Sequence, residues 1–302
     1  SRIANAATRI GQAFSDSVPM LVITSVAERR DLGMRRGRLH EITDQRATIA
    51  PLCAFSHTLM SADELPAVLG RAFGVFASAR PRPVHIEIPL DVITEPLSRP
   101  ARLVALPTRP APGVDAITRA AALLASATSP LILAGGGAKA AAETVRRLAE
   151  RIDAPVAMTC AGKGILHDDH PLSLGSLLDV TAITSAIGAA DVALIVGCEL
   201  SETDFWWGVP DLAGAVIRID MDAAVIANGP PTDVAILADA ALTLDAILDA
   251  VRPAAVAAKA TGGGARVSAL RAQAGEGLTP LQKKHIRTLD ALRAALPDDA
   301  QL

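Results

Sequence analysis

Apolar positions recur along this chain in two rhythms, and their order predicts its elements. Ile3, Ala6, Ile10 and Phe14 fall at the spacing of one helix face. The continuous apolar run from Met20 to Thr24 then reads as a strand buried on both sides. A helix is predicted over about residues 61–77, with Asp63 and Glu64 in its first turn where the helix dipole favours acids. A strand follows at Val84–Ile88 and stops at Pro89, which cannot donate to a sheet. His85 and Glu87 alternate on this strand, the pattern of a sheet face packed on a neighbour.

Prolines at 96, 100, 107, 110 and 112, with few apolar anchors, give residues 94–113 the composition of a linker. From Val114 to about Val251 helix and strand patterns alternate without interruption. Strands are predicted at 131–134, 155–159, 192–197, 215–219 and 234–237, each largely apolar, as in a parallel sheet covered on both faces. The helix predicted over 138–152 sets Ala142, Val145, Leu148 and Ala149 against Glu143, Arg146, Arg147 and Glu150. Beyond Val251 an Ala- and Gly-rich stretch through Gly262-Gly263-Gly264 reads as a second linker, and Thr288–Leu296 as an amphipathic helix. The expected division is a partial α/β domain at 1–93, a linker at 94–113, a complete α/β domain at 114–251, and a linker with the start of another domain at 252–302. The chain opens in mid-pattern at Ser1-Arg2-Ile3, so the expectation is a piece of a longer protein.

Composition narrows the function classes. Of 302 residues, 50% are hydrophobic and 20% charged, and the net charge is -3, so no basic surface or aromatic platform points to nucleic acid. No apolar run is long enough to span a bilayer. Cys53, Cys160 and Cys198 are odd in number and far apart, which argues against disulfides and metal clusters and for a reducing cytoplasm. Gly162-Lys163-Gly164 with His167, Asp168 and Asp169 lacks metal-ligand spacing, and no metal site is assigned.

The chemistry concentrates at Leu131–Ala138, an apolar strand that breaks into Gly135, Gly136 and Gly137 before a helix. Such a turn lets the backbone approach a phosphate or a neighbouring strand. The acid that holds a ribose in dinucleotide readers is missing, since Pro155–Met158 runs into Thr159 and Cys160. The turn therefore serves either a purely structural role or a nucleotide other than NAD.

Several motifs in order carry a more specific likeness. Asn5 with Gln12–Pro19, Pro81–Val92, Gly135–Ala138, Gly162–Gly164, His170-Pro171, Asp191–Gly197 and Ile219–Asp222 resemble landmarks of the thiamine-diphosphate-dependent enzymes of the acetolactate synthase and 2-oxoacid decarboxylase type. Within that superfamily, Ala27–Gly33 continuing to Arg38-Leu39-His40-Glu41, together with Glu199–Trp206, looks most like the guanidino-oxopentanoate decarboxylase branch. The synthases usually carry Phe-Gln-Glu where this chain has Leu39-His40-Glu41, and an arginine-bearing run where it has Glu199–Phe205.

The resemblance implies an α/β fold: a Rossmann-like, DHS-like central domain with a parallel sheet, preceded by the C-terminal half of a pyrimidine-binding domain. It implies His40 and Glu41 as candidate catalytic residues facing a small 2-oxoacid substrate. Asn5, Gly135, Gly136, Gly137, Thr159 and Asp220 are implied as candidate cofactor-binding positions. Thiamine diphosphate and Mg2+ are the implied cofactors, acting in a cytoplasmic homodimer or homotetramer without membrane or nucleic-acid partners. The cofactor-activating glutamate of the family falls outside the matched residues, and no Gly-Asp-Gly occurs in the sequence, so the chain is expected to be inactive alone. Two alternatives stay open: a carboligase of the synthase type with FAD on the central domain, and a non-catalytic nucleotide-binding or interaction module. Glu199, Glu202 and Asp204 either attract a guanidinium or form a solvated rim.

Overall fold

The structure, a computed structural model, describes residues 2–102, 104–252, 262–297 and Ala300. The chain divides into two compact units, Ser1–Pro110 and Ala111–Leu302.

The first unit runs α1 (Arg2–Ser15), β1 (Leu21–Val26), α2 (Gln45–Ile49), β2 (Phe55–Thr58), α3 (Leu65–Ser78), β3 (Val84–Pro89) and α4 (Leu90–Ile93). Its three strands form a parallel sheet in the order β1-β3-β2. Because side chains alternate across a strand, β3 sends Val84 and Ile86 to one face and His85 and Glu87 to the other. The first face packs on α3 through Val68, Leu69, Ala72 and Phe76. Away from that core, Ile3 and Ile10 of α1 meet Ile49 of α2, Cys53 and Val22 of β1 in a second cluster.

The second unit runs α5 (Val114–Ser126), β4 (Pro130–Ala134), α6 (Ala142–Ile152), β5 (Val156–Met158), β6 (Ser173–Gly175), α7 (Thr181–Gly188), β7 (Val192–Val196), β8 (Ala215–Asp220), α8 (Ala223–Ala227), β9 (Val234–Leu237), α9 (Ala240–Ala250), α10 (Gly263–Glu276) and α11 (Pro280–Ala295). Its six strands are all parallel, in the order β6-β5-β4-β7-β8-β9. That order reverses between β4 and β7, the switch point where open α/β sheets carry ligands at the carboxyl ends of their strands. One face is covered by α5, α6 and α9 through Leu124, Leu148 and Ile247. The other is covered by Ile183 and Ile187 of α7, Phe205, and Val267 of α10.

The α/β fold with parallel sheets agrees with the sequence reading, and four local differences have physical reasons. The helix expected over 138–152 begins instead as a 3-10 stretch, Gly136–Ala141, before α6. The strands β2 and β6 escape periodicity because Phe55–Thr58 is mostly polar and Ser173–Gly175 is three residues long. The expected second linker lies at 253–261 outside the described residues, but its glycines open α10. A Cβ on Gly263 would lie 2.2 Å from the Asp153 carbonyl oxygen, so this glycine permits a close approach and marks no break in structure. The last helix starts earlier than expected, at Pro280, behind a capping box of Thr279 and Gln282. Among the described residues no helix is long and apolar enough to cross a membrane.

Candidate functional site

The polar face of the first unit's sheet is built by alternation on three strands. Thr24 of β1, His85 and Glu87 of β3, and Ser56 and Thr58 of β2 are brought together by the parallel register. Their hydrogen bonds form one chain. Gln45, the first residue of α2, has its side-chain amide nitrogen within donating distance of three acceptors, Thr24 Oγ1, the Ser25 carbonyl and Glu87 Oε2, each at 3.1 Å. The His85 imidazole bridges the two hydroxyls, with Nε2 2.8 Å from Thr24 Oγ1 and Nδ1 2.7 Å from Ser56 Oγ. Thr58 donates to Glu87 Oε1 at 2.7 Å.

Both titratable members are buried, His85 at 0% and Glu87 at 3% exposure. Burial pushes the His85 imidazole down to about 4, so it is neutral. Burial pushes the Glu87 carboxyl up, opposed by the hydrogen bonds from Thr58 and Gln45.

Glu87, Thr58, Gln45 and Ser25 line a cavity of about 720 Å³ at the carboxyl ends of these strands. Its wall is the loop between β1 and α2. That loop is held from within: Asp31, 1% exposed, pairs with Arg36 at 2.8 Å and Arg38 at 2.6 Å. Glu41 accepts from the Arg38 amide at 2.9 Å and the Arg36 amide at 3.2 Å. The Arg38 amide first, and then the other amides of the loop, hold the Glu41 carboxyl below the usual carboxylate range. Arg29 fastens the base of the loop to Asp91 at 2.7 Å and to the Met60 carbonyl at 2.8 Å.

The structure thus places His40 and Glu41 together on the cavity wall. His40 is exposed in a left-handed conformation with φ of 59°. The Glu41 carboxylate is engaged by the loop's own backbone. Asn5 is exposed on α1. Sequence reasoning overlooked Gln45, Thr24, Ser56 and Thr58. Gln45 lies on a helix and Ser56 and Thr58 on a strand too polar for periodicity to reveal, so only the parallel register brings them beside His85 and Glu87.

In the second unit the glycine turn lies at the switch point, backbone against backbone. Gly135 donates to the Val196 carbonyl at 2.9 Å and Gly137 to the Gly197 carbonyl at 3.1 Å. A Cβ on Gly135 would lie 2.2 Å from the Gly197 oxygen, and one on Gly137 would lie 2.8 Å from the Gly197 Cα. Gly136 faces Ala161, where a Cβ would approach to 3.1 Å. Gly197 itself has a φ of 52°, which favours glycine. Thr159 is buried, donates its amide to Ala134 O at 3.1 Å and accepts from Gly162 N at 3.0 Å. Asp220 accepts the Asp222 amide at 2.9 Å, turning the chain at the end of β8.

Asp204 of the acidic loop accepts from Cys160 N at 3.1 Å and from the Ser201 hydroxyl at 2.9 Å, which fixes that loop beside the turn after β5. Arg218 is 1% exposed and donates to the Cys198 and Ile226 carbonyls, both at 3.2 Å, so it closes the end of α8. Among the described residues no group of three or more His, Cys, Asp or Glu side chains could hold a metal ion.

Comparison with known proteins follows this architecture. Residues 117–247 match the family model described as the central domain of thiamine pyrophosphate enzymes. The chain is 45% identical over 300 residues to the probable 2-ketoarginine decarboxylase AruI of Pseudomonas aeruginosa, a match covering 99% of this chain and 53% of that protein. It is 32% identical over 262 residues to a probable acetolactate synthase large subunit of Methanocaldococcus jannaschii, covering 82% of this chain and 43% of that one. The chain thus spans about half the length of the curated relatives it matches. An X-ray structure of a proposed thiamin diphosphate-dependent enzyme from Mycobacterium smegmatis shares the fold, with a TM-score of 0.73, 22% identity, and coverage of 83% of this chain and 49% of that one. Residues 117–247 are thus similar to the central domain of the thiamine pyrophosphate enzymes, and nearly the whole chain is similar to part of a probable 2-ketoarginine decarboxylase.

Proposed function

We propose that this chain is part of a thiamine-diphosphate-dependent decarboxylase whose substrate is a 2-oxoacid with a guanidinium tail, 5-guanidino-2-oxopentanoate. The observation that carries the reading is the 45% identity to the 2-ketoarginine decarboxylase, which runs through both units where the synthase matches cover less of the chain. The cavity supports it, because a small organic acid needs a concave site with a few placed polar groups. His40 faces the substrate from the loop, and Glu41 holds that loop in shape. The same reading gives a cytoplasmic homodimer or homotetramer that uses Mg2+.

Thiamine diphosphate supplies the carbanion chemistry in such enzymes. A metal-bound diphosphate does not fit the residues present: no carboxylate cluster could hold the metal among the described residues, and no Gly-Asp-Gly occurs in the sequence. Asn5 is retained as a contact to the cofactor's pyrimidine side. The 302-residue chain, given thiamine diphosphate and Mg2+, should release no carbon dioxide from any 2-oxoacid, as checked by a coupled assay. The protein encoded by the full gene should decarboxylate 5-guanidino-2-oxopentanoate. Preference for condensing two 2-oxoacids would instead move the protein to the synthases.

Flavin separates these two readings further. Gly135–Gly137, Thr159 and Asp220 keep the positions of a nucleotide cofactor's contacts in the resemblance, yet the amides of Gly135 and Gly137 bond to other backbone. Asp204, fastened to the Cys160 amide, puts negative charge beside the turn where a pyrophosphate would lie. Losing a charge-assisted hydrogen bond alone costs about 1.5–3 kcal/mol, roughly tenfold to a hundredfold in affinity. The second unit therefore acts as a scaffold. Calorimetric titration of the chain with FAD should show no binding at micromolar concentration, and a low-micromolar dissociation constant would favour the synthase reading.

A further inference from the structure

Among the carboxylates lining the cavity, Glu87 stands apart. Glu28 pairs with Arg30 at 2.7 Å, Asp31 with Arg36 and Arg38, Glu41 accepts two loop amides, and Asp44 caps α2 through the Ala47 amide at 2.7 Å. Each of these charges is met by a cation or by backbone amides. Glu87, the most deeply buried after Asp31, accepts its hydrogen bonds from the neutral Thr58 hydroxyl and Gln45 amide. Arg46, exposed on α2, favours the Glu87 charge through space, and Asp44 beside it opposes that charge. His85, on the same strand face, is bracketed by two hydroxyls and neutral.

A buried carboxylate without a directly hydrogen-bonded cation is costly, and burial of this kind is ordinarily balanced by a paired cation. A carboxylate offers about four lone-pair positions. Thr58 occupies one on Oε1 and Gln45 one on Oε2, which leaves one on each oxygen. Two parallel acceptors match the planar fork of a guanidinium, where an ammonium would use only one. A metal ion is a poor alternative, since no further His, Cys, Asp or Glu joins Glu87 in a ligating group among the described residues.

Resting on the substrate class given under the proposed function, we propose that Glu87 is the specificity-determining residue of this cavity and receives the guanidinium end of the ligand, with Gln45 and Thr58 orienting the carboxylate.

The test is an NMR titration of the 302-residue chain with 4-guanidinobutanoate and with its uncharged counterpart 4-ureidobutanoate, following the amides of residues 25–46. Wild type should bind the guanidino compound at least tenfold more tightly. E87Q should lose that preference while keeping the wild-type circular dichroism. Should E87Q not fold, Q45K places an ammonium beside Glu87 and should abolish guanidino binding in a folded chain. Equal affinity for both compounds, no binding of either, or a preference that survives E87Q or Q45K would overturn the proposal. The titration reads the cavity alone. If it fails while the complete protein still decarboxylates the guanidino acid, only the role of Glu87 falls; if that activity is missing, the substrate reading falls.

Discussion

Gly135→Ala should unfold the second unit far more readily than any surface substitution of that unit. The added methyl would sit 2.2 Å from the Gly197 oxygen and 2.7 Å from the Cys198 Cα, both backbone atoms that cannot swing aside. Relief requires the turns after β4 and β7 to part, breaking the Gly137 to Gly197 hydrogen bond. Forced overpacking of this kind costs about 3 kcal/mol. For a unit of this size that is a fall of roughly 6–12 °C in melting temperature. Gly113→Ala is the control, because nothing lies within 4 Å of its Cβ and its φ is -74°. Differential scanning calorimetry of the two variants checks the pair, and equal melting would show that the two turns do not meet.

Acid should destabilise the first unit through His85. Its folded value is depressed from 6.5 to about 4, so the unfolded chain takes up a proton that the folded chain refuses. The stabilising contribution is full above 6.5 and is lost as the pH falls toward 4, a change of about 3 kcal/mol. Glu87 works in the opposite sense, since its raised value means the folded state gains protons ahead of the unfolded one as the pH falls. Subtracting the unfolding free energies of His85→Gln from those of wild type at pH 7 and pH 4 isolates the imidazole. The loss on acidification should be smaller in the variant by about that amount; parallel curves would mean that His85 titrates normally.

Much of the fold was legible because parallel strands buried on both faces write themselves as apolar runs, as at Leu131–Ala134 and Val192–Val196. The polar sheet face was harder to read. Thr24, Ser56, Thr58, His85 and Glu87 are far apart in sequence, and only the register of β1, β3 and β2 shows that they form one hydrogen-bonded set. The alternation of His85 and Glu87 was visible, but an alternating pair reads equally well as packing. The loop residues show the converse. His40 and Glu41 were drawn from family resemblance, and the structure puts both on the cavity wall while giving Glu41 a role in holding the loop. The glycines read as part of a second linker instead open α10, where Gly263 is a contact point.

The anchoring of α10 determines where this protein can be cut without harm. Asp153 ends α6 in a left-handed conformation and holds the Gly263 amide at 2.9 Å, while Arg266 reaches the Pro130 carbonyl at 3.2 Å. The helix thereby sets Val267 and Leu270 over the apolar cluster that contains Ile183 and Ile187. An expression boundary after Val251 keeps all six strands yet strips that cover, leaving a greasy flank for a second molecule to occupy. A boundary after Glu276 carries its own stopper.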